Sequence, residues 1–135
     1  DEIVRLEDSI RIASNSSEHR RVALRDWYIN AAEAAVLPRV ERHARRFGVS
    51  PTSAKIVDNR YRWGSCTADD GIRINWRVIK APVYVIDYII VHELAHMLVQ
   101  NHTQEFWGIV RAHSASMDKA REWLRNLGQL LEEDI

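Results

Sequence analysis

The spacing of apolar residues predicts a long helix, then short strands, then three more helices. From Val22 to Phe47, apolar residues recur mostly at intervals of three and four, which is typical of an amphipathic helix. Gly48 is a plausible end, and Pro38 inside the pattern predicts a kink or a break. Residues 1–20 are interpreted as a lead-in segment, and residues 21–135 as a single domain.

Alternation of apolar and polar residues then replaces the helical repeat. Residues 54–57, 60–66 and 72–76 are strand candidates, and the last of them alternates as a half-buried strand does. Asp69-Asp70-Gly71 has the composition of a hairpin turn between the second and third strands. These segments together predict a small antiparallel sheet.

Three helices follow the sheet. Pro82 stands at an early position of a pattern that covers residues 81–99, where its missing N–H costs nothing. Thr103 is suited to cap a short second helix, and Ser114 or Ser116 to cap the last one. The order of elements predicts an α+β domain with an N-terminal helix, a small sheet and C-terminal helices.

Composition narrows the class of protein. Lys and Arg total 19, as do Asp and Glu, and this balance excludes a strongly basic nucleic-acid binder. The longest nearly apolar run, residues 83–91, contains Asp87 and is too short to span a membrane. No secretory leader is visible, so we expect a cytoplasmic protein without a membrane partner. The single cysteine, Cys66, excludes an internal disulfide and a multi-cysteine zinc site.

The segment His92-Glu93-Leu94-Ala95-His96 carries the strongest chemical signal. On a helix, residues four apart lie on one face, so the imidazoles of His92 and His96 can reach one metal ion. Glu93 stands beside this pair, where its carboxylate can take a proton from a metal-activated water. This arrangement indicates a hydrolase.

A catalytic zinc usually has a third protein ligand. His102 is favoured, but it can reach the histidine pair only if the chain turns after about Val99. Gln100-Asn101 permits that turn, because Asn tolerates a positive φ. Glu105, one turn into the next helix, and His113 are the alternatives.

Further motifs occur in a fixed order around the two histidines. They are Arg62-Trp63-Gly64-Ser65-Cys66, Ile74-Asn75-Trp76-Arg77, Ala81-Pro82, Ile86-Asp87-Tyr88, Val91–His96, Asn101-His102-Thr103 and Phe106-Trp107. Over residues 24–130 the chain resembles the YgjP-like metallopeptidase family, a zincin group related to the SprT-like proteases. The resemblance implies a compact zincin-like fold and one zinc ion per chain. The ligands it implies are His92, His96 and His102, with Glu93 as the base.

We therefore expect a zinc-dependent metallopeptidase that acts on a peptide or protein substrate. One alternative is a metal-dependent hydrolase of another amide or an ester. Another is a non-catalytic, metal-containing binding module of a larger nucleic-acid-processing protein. Residues 39–62 contain seven basic and two acidic residues, a difference of +5, so a nucleic-acid contact is conceivable. No feature indicates whether the chain self-associates.

Supporting roles are predicted for three residues near the histidine pair. Tyr88 lies one helical turn before His92 and can either place its hydroxyl near the metal or pack its ring. Tyr88 and Arg73 are the candidates for stabilising the oxyanion. Asn75 is either a hydrogen-bond partner near the site or a residue that ends a strand.

The remaining candidates concern the surroundings of the site. Glu105 and Asp87 can orient a ligand imidazole through a hydrogen bond. Gly64 either lets a strand pass close to the active-site helix or marks a bulge. Zincins commonly hold substrate as an added strand on a sheet edge, and either residues 60–66 or residues 72–76 can form that edge.

Overall fold

A computed structural model describes residues 17–60 and 62–132. Over these ranges the chain forms four α-helices and a three-stranded sheet. In chain order they are α1 (Ser17–Phe47), β1 (Ser53–Val57), β2 (Gly64–Cys66), β3 (Gly71–Asn75), α2 (Val83–Ala95), α3 (Gln104–His113) and α4 (Met117–Leu127). Short 3₁₀ helices precede α2 (Trp76–Lys80) and follow α4 (Gly128–Glu132).

Helix α1 is unbroken for 31 residues, although Pro38 lies inside it. Pro38 removes the hydrogen bond that would reach the carbonyl of Ala34, but both residues are exposed, so water can satisfy that carbonyl. The predicted break at Pro38 is therefore wrong. The helix begins at Ser17, so the last residues of the predicted lead-in are helical. Residues 1–16 of that lead-in lie outside the described part of the chain.

The core lies between α1, the sheet and α2. Nine of the thirteen residues of α2 are buried, which makes it the central helix of the domain. The other elements contribute apolar side chains that close around it: Val36 and Val40 from α1, Ile72 and Ile74 from β3, Phe106 and Val110 from α3, and Met117 and Ala120 from α4. Close packing on all sides holds α2, which carries the candidate chemistry, in a fixed position.

The sheet is mixed rather than antiparallel throughout. Strands β2 and β3 form the antiparallel hairpin that the Asp69-Asp70-Gly71 turn predicts, whereas β1 and β3 run parallel. The strand order is β1-β3-β2, so the antiparallel prediction is wrong for one of the two pairings. The reason is that β2 does not pair with β1, which precedes it in the chain, and β3 then lies between the two earlier strands.

Asn75 holds this crossing segment in place. Its side chain is fully buried, and its amide donates to the backbone carbonyls of Asn59, at 2.6 Å, and Arg62, at 3.1 Å. Its side-chain oxygen accepts from the backbone N–H of Arg77 and caps the 3₁₀ helix. Of the two predicted roles, the structure supports the strand-ending one, because Asn75 does not line the cleft described below.

Asn75→Ala should lower the free energy of unfolding by about 1–3 kcal/mol, because it removes the buried amide that binds three backbone groups, one of them the buried N–H of Arg77. Urea denaturation followed by circular dichroism measures this difference. Asn59→Ala is the matched control: it removes an exposed side chain and keeps the carbonyl that Asn75 binds. Equal loss in both variants would contradict the role assigned to the buried amide.

Candidate active site

His92 on α2 and His96, the residue that caps the C-terminal end of α2, lie on the same side of the helix, as their spacing predicts. Their ring centroids lie 5.0 Å apart in an edge-to-face arrangement. Phe106, fully buried at the start of α3, supports both rings, with centroids 5.1 and 4.5 Å away. The pair therefore rests on an apolar floor that limits how far either imidazole can swing.

The chain after His96 turns back sooner than predicted. Helix α2 ends at Ala95 rather than near Val99, and the next residues tighten into bonds from each N–H to the carbonyl three residues earlier. Among the described non-glycine residues only Asp70 has a positive φ, so Asn101 does not make the predicted left-handed turn. The chain therefore reverses direction as predicted, but it does so through this tight turn rather than through a left-handed residue.

The reversal brings His102 close to His92 and His96. Nε2 of His102 lies 3.1 Å from Nε2 of His96. One ring nitrogen from each of the three histidines lies within 4.8 Å of the others. Thr103, directly after His102, accepts a hydrogen bond from the backbone N–H of Phe106 and caps α3, as predicted. The cap fixes the point at which the loop carrying His102 joins the next helix.

The three imidazoles fit a zinc site in both chemistry and spacing. Two Zn–N bonds of 2.0–2.1 Å at a tetrahedral angle place their nitrogens about 3.3 Å apart, close to the observed His96–His102 separation. Within the described ranges these histidines form a candidate metal cluster, and neither Glu105 nor His113 belongs to it. Glu105 is exposed on α3, and the His113 ring stacks on Phe47 with centroids 3.9 Å apart.

Hydrogen bonds favour the ring tautomers that metal binding needs. Nδ1 of His96 lies 3.2 Å from the carbonyl oxygen of Val99, so a proton on Nδ1 leaves Nε2 with a free lone pair. Nδ1 of His92 lies 3.2 Å from Oε2 of Glu93, with the same consequence. Burial, together with the two neighbouring imidazoles, lowers the pKa of His102. The two Nδ1 contacts therefore orient the rings of His92 and His96, and the lowered pKa favours the neutral form of His102.

Exposed His102 is braced by a stack of side chains that the sequence does not reveal. The Trp107 ring lies nearly parallel to the His102 ring, with centroids 5.7 Å apart. The guanidinium of Arg121, from α4, covers the Trp107 ring at 4.2 Å from its centroid. Because α4 reaches this point only through tertiary packing, no local motif marks Arg121 as part of the site.

The carboxylate of Glu93 is held between α2 and strand β2. Glu93 is only 7% exposed. A Cβ placed on Gly64 would lie 3.0 Å from Cγ of Glu93 and 3.3 Å from its Oε2. Of the two interpretations of Gly64, the structure supports close approach of the strand to the helix. Because Gly64 has no side chain, the side chain of Glu93 can occupy the space next to it.

A cleft of about 560 Å³ opens over these groups. Strand β2 forms one wall, and the histidines with Glu93 form the floor. Because the strand order places β2 at an edge of the sheet, the edge beside the cleft belongs to residues 64–66 rather than to 72–76. Cys66 also lines the cleft, where burial raises the pKa of its thiol and disfavours the reactive thiolate.

Residues 1–127 match the family described as YgjP-like, metallopeptidase domain. The chain belongs to the YgjP-like metallopeptidase family. The match spans nearly the whole sequence, so the resemblance recognised from the sequence motifs is confirmed. No match was found among curated proteins.

The YgjP-like domain is similar in structure to abylysin, a metallopeptidase zymogen of Pyrococcus abyssi, with a TM-score of 0.60. The two chains are 19% identical, and the likeness covers 74% of this chain and 98% of the abylysin chain. At this identity the comparison shows the fold alone, and it confirms the predicted zincin-like α+β fold. Within the described ranges, the YgjP-like domain has no helix with the length and apolar character needed to cross a membrane.

The predicted supporting residues divide into those beside the YgjP-like site and those away from it. Tyr88 is beside it, with its ring 6.0 Å from that of His92, and burial raises the pKa of its hydroxyl. Arg73 is away from the cleft, since its guanidinium donates to Oγ of Ser53. The predicted oxyanion role of Arg73 is therefore not supported by its position.

Asp87 does not orient a ligand imidazole of the YgjP-like domain, contrary to the prediction. It accepts hydrogen bonds from Arg39 and faces Nε2 of His43 at 3.0 Å. Burial opposes its charged form, but these partners outweigh burial and lower the pKa of Asp87. Arg39 pairs with Asp87, and Arg45 pairs with Glu41. These two ion pairs neutralise part of the positive charge of residues 39–62, the segment considered above as a nucleic-acid contact.

Proposed function

We propose that this domain is a zinc-dependent peptidase in which His92, His96 and His102 hold the metal and Glu93 is the general base. One observation carries the proposal: three ring nitrogens converge within 4.8 Å, and a nearly buried carboxylate lies beside them in an open cleft. Three protein ligands leave a coordination position for water or substrate, which a closed structural site does not. This favours an enzyme over a binding module.

Each residue has a distinct part in the proposed hydrolysis. When bound, Zn²⁺ supplies a Lewis acid and lowers the pKa of a coordinated water toward about 7. Glu93 accepts the proton of the attacking water and later donates it to the leaving amine. The contact with Gly64 positions this carboxylate, and the hydrogen bonds of Nδ1 in His92 and His96 favour the tautomers that leave the Nε2 lone pairs free.

The substrate is proposed to bind as an added strand along β2. The edge of β2 that faces away from β3 borders the cleft, so its backbone groups are available to an extended chain. Such binding recognises peptide backbone, which an ester or a small amide lacks. This geometry favours peptide substrates over the alternative hydrolase activity.

The test combines zinc content with cleavage. The protein is purified without added metal, zinc per chain is determined, and hydrolysis of unfolded casein and of a panel of small esters is followed. We expect about one zinc per chain, cleavage of casein that a chelator abolishes and zinc restores, and no comparable ester hydrolysis. Ester hydrolysis alone would favour the other hydrolase activity, and zinc binding without any turnover would favour the binding module.

Gly64→Ala should lower kcat by about 10- to 100-fold, because the new methyl group displaces the carboxylate of Glu93. Zinc content should not change, since the three atoms nearest to the new Cβ belong to Glu93 and Arg73 and none belongs to the three histidines. Gly108→Ala, on the exposed side of α3, is the matched control, because a Cβ there meets nothing within 4 Å. Full activity in Gly64→Ala would show that the close approach is not needed.

A further inference from the structure

A second cavity, of about 290 Å³, lies beside the cleft. Its volume is at the lower limit of the roughly 300–1,000 Å³ of pockets that enclose a whole small ligand, and it is large enough for one bulky side chain. It shares a boundary with the main cleft, and the residues common to both are Arg62, Gly64, His92 and Glu93. A group in this cavity therefore lies next to the proposed base.

The remaining lining of this side cavity is apolar or aromatic. Trp63 comes from the segment before β2, Tyr88 and Ile89 come from α2, and Leu124 comes from α4. Tyr88 and Ile89 are 6% and 3% exposed, so packing holds this part of the wall rigidly. Leu124 is half-buried and completes the far side. Such a surface gains free energy by burying a large apolar group.

Two polar residues, Tyr88 and Arg62, also line the side cavity, and the charge of Arg62 affects which side chains can enter. The Tyr88 hydroxyl has no hydrogen-bond partner within the described ranges, although its residue is more than nine-tenths buried. Arg62 is an exposed residue, and it lines both the side cavity and the cleft. Its positive charge disfavours entry of a lysine or arginine side chain, because like charges repel.

We infer that the side cavity is a specificity pocket that accepts one large apolar side chain, such as leucine or phenylalanine, next to the scissile bond. This inference rests on the proposed peptidase function. A peptide paired with β2 directs alternate side chains to opposite faces. One set then points toward α2, where the side cavity opens beside Glu93.

Leu124→Trp fills the side cavity, and Leu127→Trp is its matched control. Leu127 lies one turn later on the same helix, is 40% exposed and lines neither cavity. Alanine-based peptides with one variable residue serve as substrates, and kcat/KM is measured for leucine, phenylalanine, alanine and lysine. The wild type should prefer leucine or phenylalanine over alanine by at least about tenfold and should cleave the lysine peptide least.

Leu124→Trp should reduce that preference to near unity, whereas Leu127→Trp should keep it. The same peptides are also titrated against zinc-loaded Glu93→Gln protein, with and without Leu124→Trp, so that binding is measured without turnover. Preferential binding that Leu124→Trp removes supports the pocket even if no peptide is cleaved, in which case the peptidase proposal alone fails. Cleavage or binding that ignores the variable residue, or absence of both, overturns the pocket.

Discussion

Glu93→Gln should lower peptide hydrolysis by at least about 100-fold while the protein keeps its zinc. The substitution preserves the shape of the side chain, so the contact with Gly64 and the bond from Nδ1 of His92 can both persist. What it removes is the ability to accept a proton. Zinc content is measured by elemental mass spectrometry, and kcat/KM is measured on a peptide that the wild type cleaves. Together the two measurements distinguish loss of the proton acceptor from loss of zinc binding.

Glu105→Gln is the control for that experiment. Glu105 is exposed in the first turn of α3, carries the same carboxylate and lies outside the histidine cluster. It should keep nearly full activity. If Glu93→Gln were as active as Glu105→Gln, Glu93 would not be the base, and another acceptor in the cleft would be needed.

His102→Ala should weaken zinc binding by more than about 100-fold, since the loss of a partner outside the ligand set already costs roughly 10- to 100-fold. Competition with a chromophoric chelator gives the affinity. The expected loss is large because His102 contributes one of the three converging nitrogens, 3.1 Å from that of His96. Activity should fall in parallel when zinc is limiting.

Glu105→Ala and His113→Ala test the alternatives for the third ligand. Neither side chain belongs to the cluster, and the His113 ring is engaged by Phe47. Both variants should bind zinc as the wild type does. A loss in Glu105→Ala equal to that in His102→Ala would transfer the third position to the carboxylate.

The parts of the site that follow a local rule were predictable from sequence. Residues four apart on a helix share a face whatever the surrounding fold, so the pairing of His92 with His96 needed only a helix. The cap at Thr103 is equally local, because its side chain and the bonded N–H are three residues apart. The hairpin around Asp70 depends on turn composition, and it formed as predicted.

The features that the sequence did not predict depend on contacts between distant segments. The parallel pairing of β1 with β3 is set by where the chain crosses the sheet, and no pattern within either strand encodes strand order. Tolerance of Pro38 depends on which face of α1 is exposed. The stacking of Arg121 on Trp107 requires α4 to pack beside α3, which the spacing of their residues does not specify.

Helix α4 has an evolutionary consequence for this small fold. The groups proposed to perform hydrolysis lie on α2 and on the loop that follows it, whereas Leu124 and Arg121 reach the site from a helix whose outer face is solvent-exposed. Leu124 is half-buried and Arg121 is exposed, so neither belongs to the closely packed core, where substitution costs the most stability. Under the proposed role of the side cavity, substitutions at Leu124 change which side chain fits there without altering the groups proposed for hydrolysis, so members of the family can differ in substrate preference while sharing one reaction.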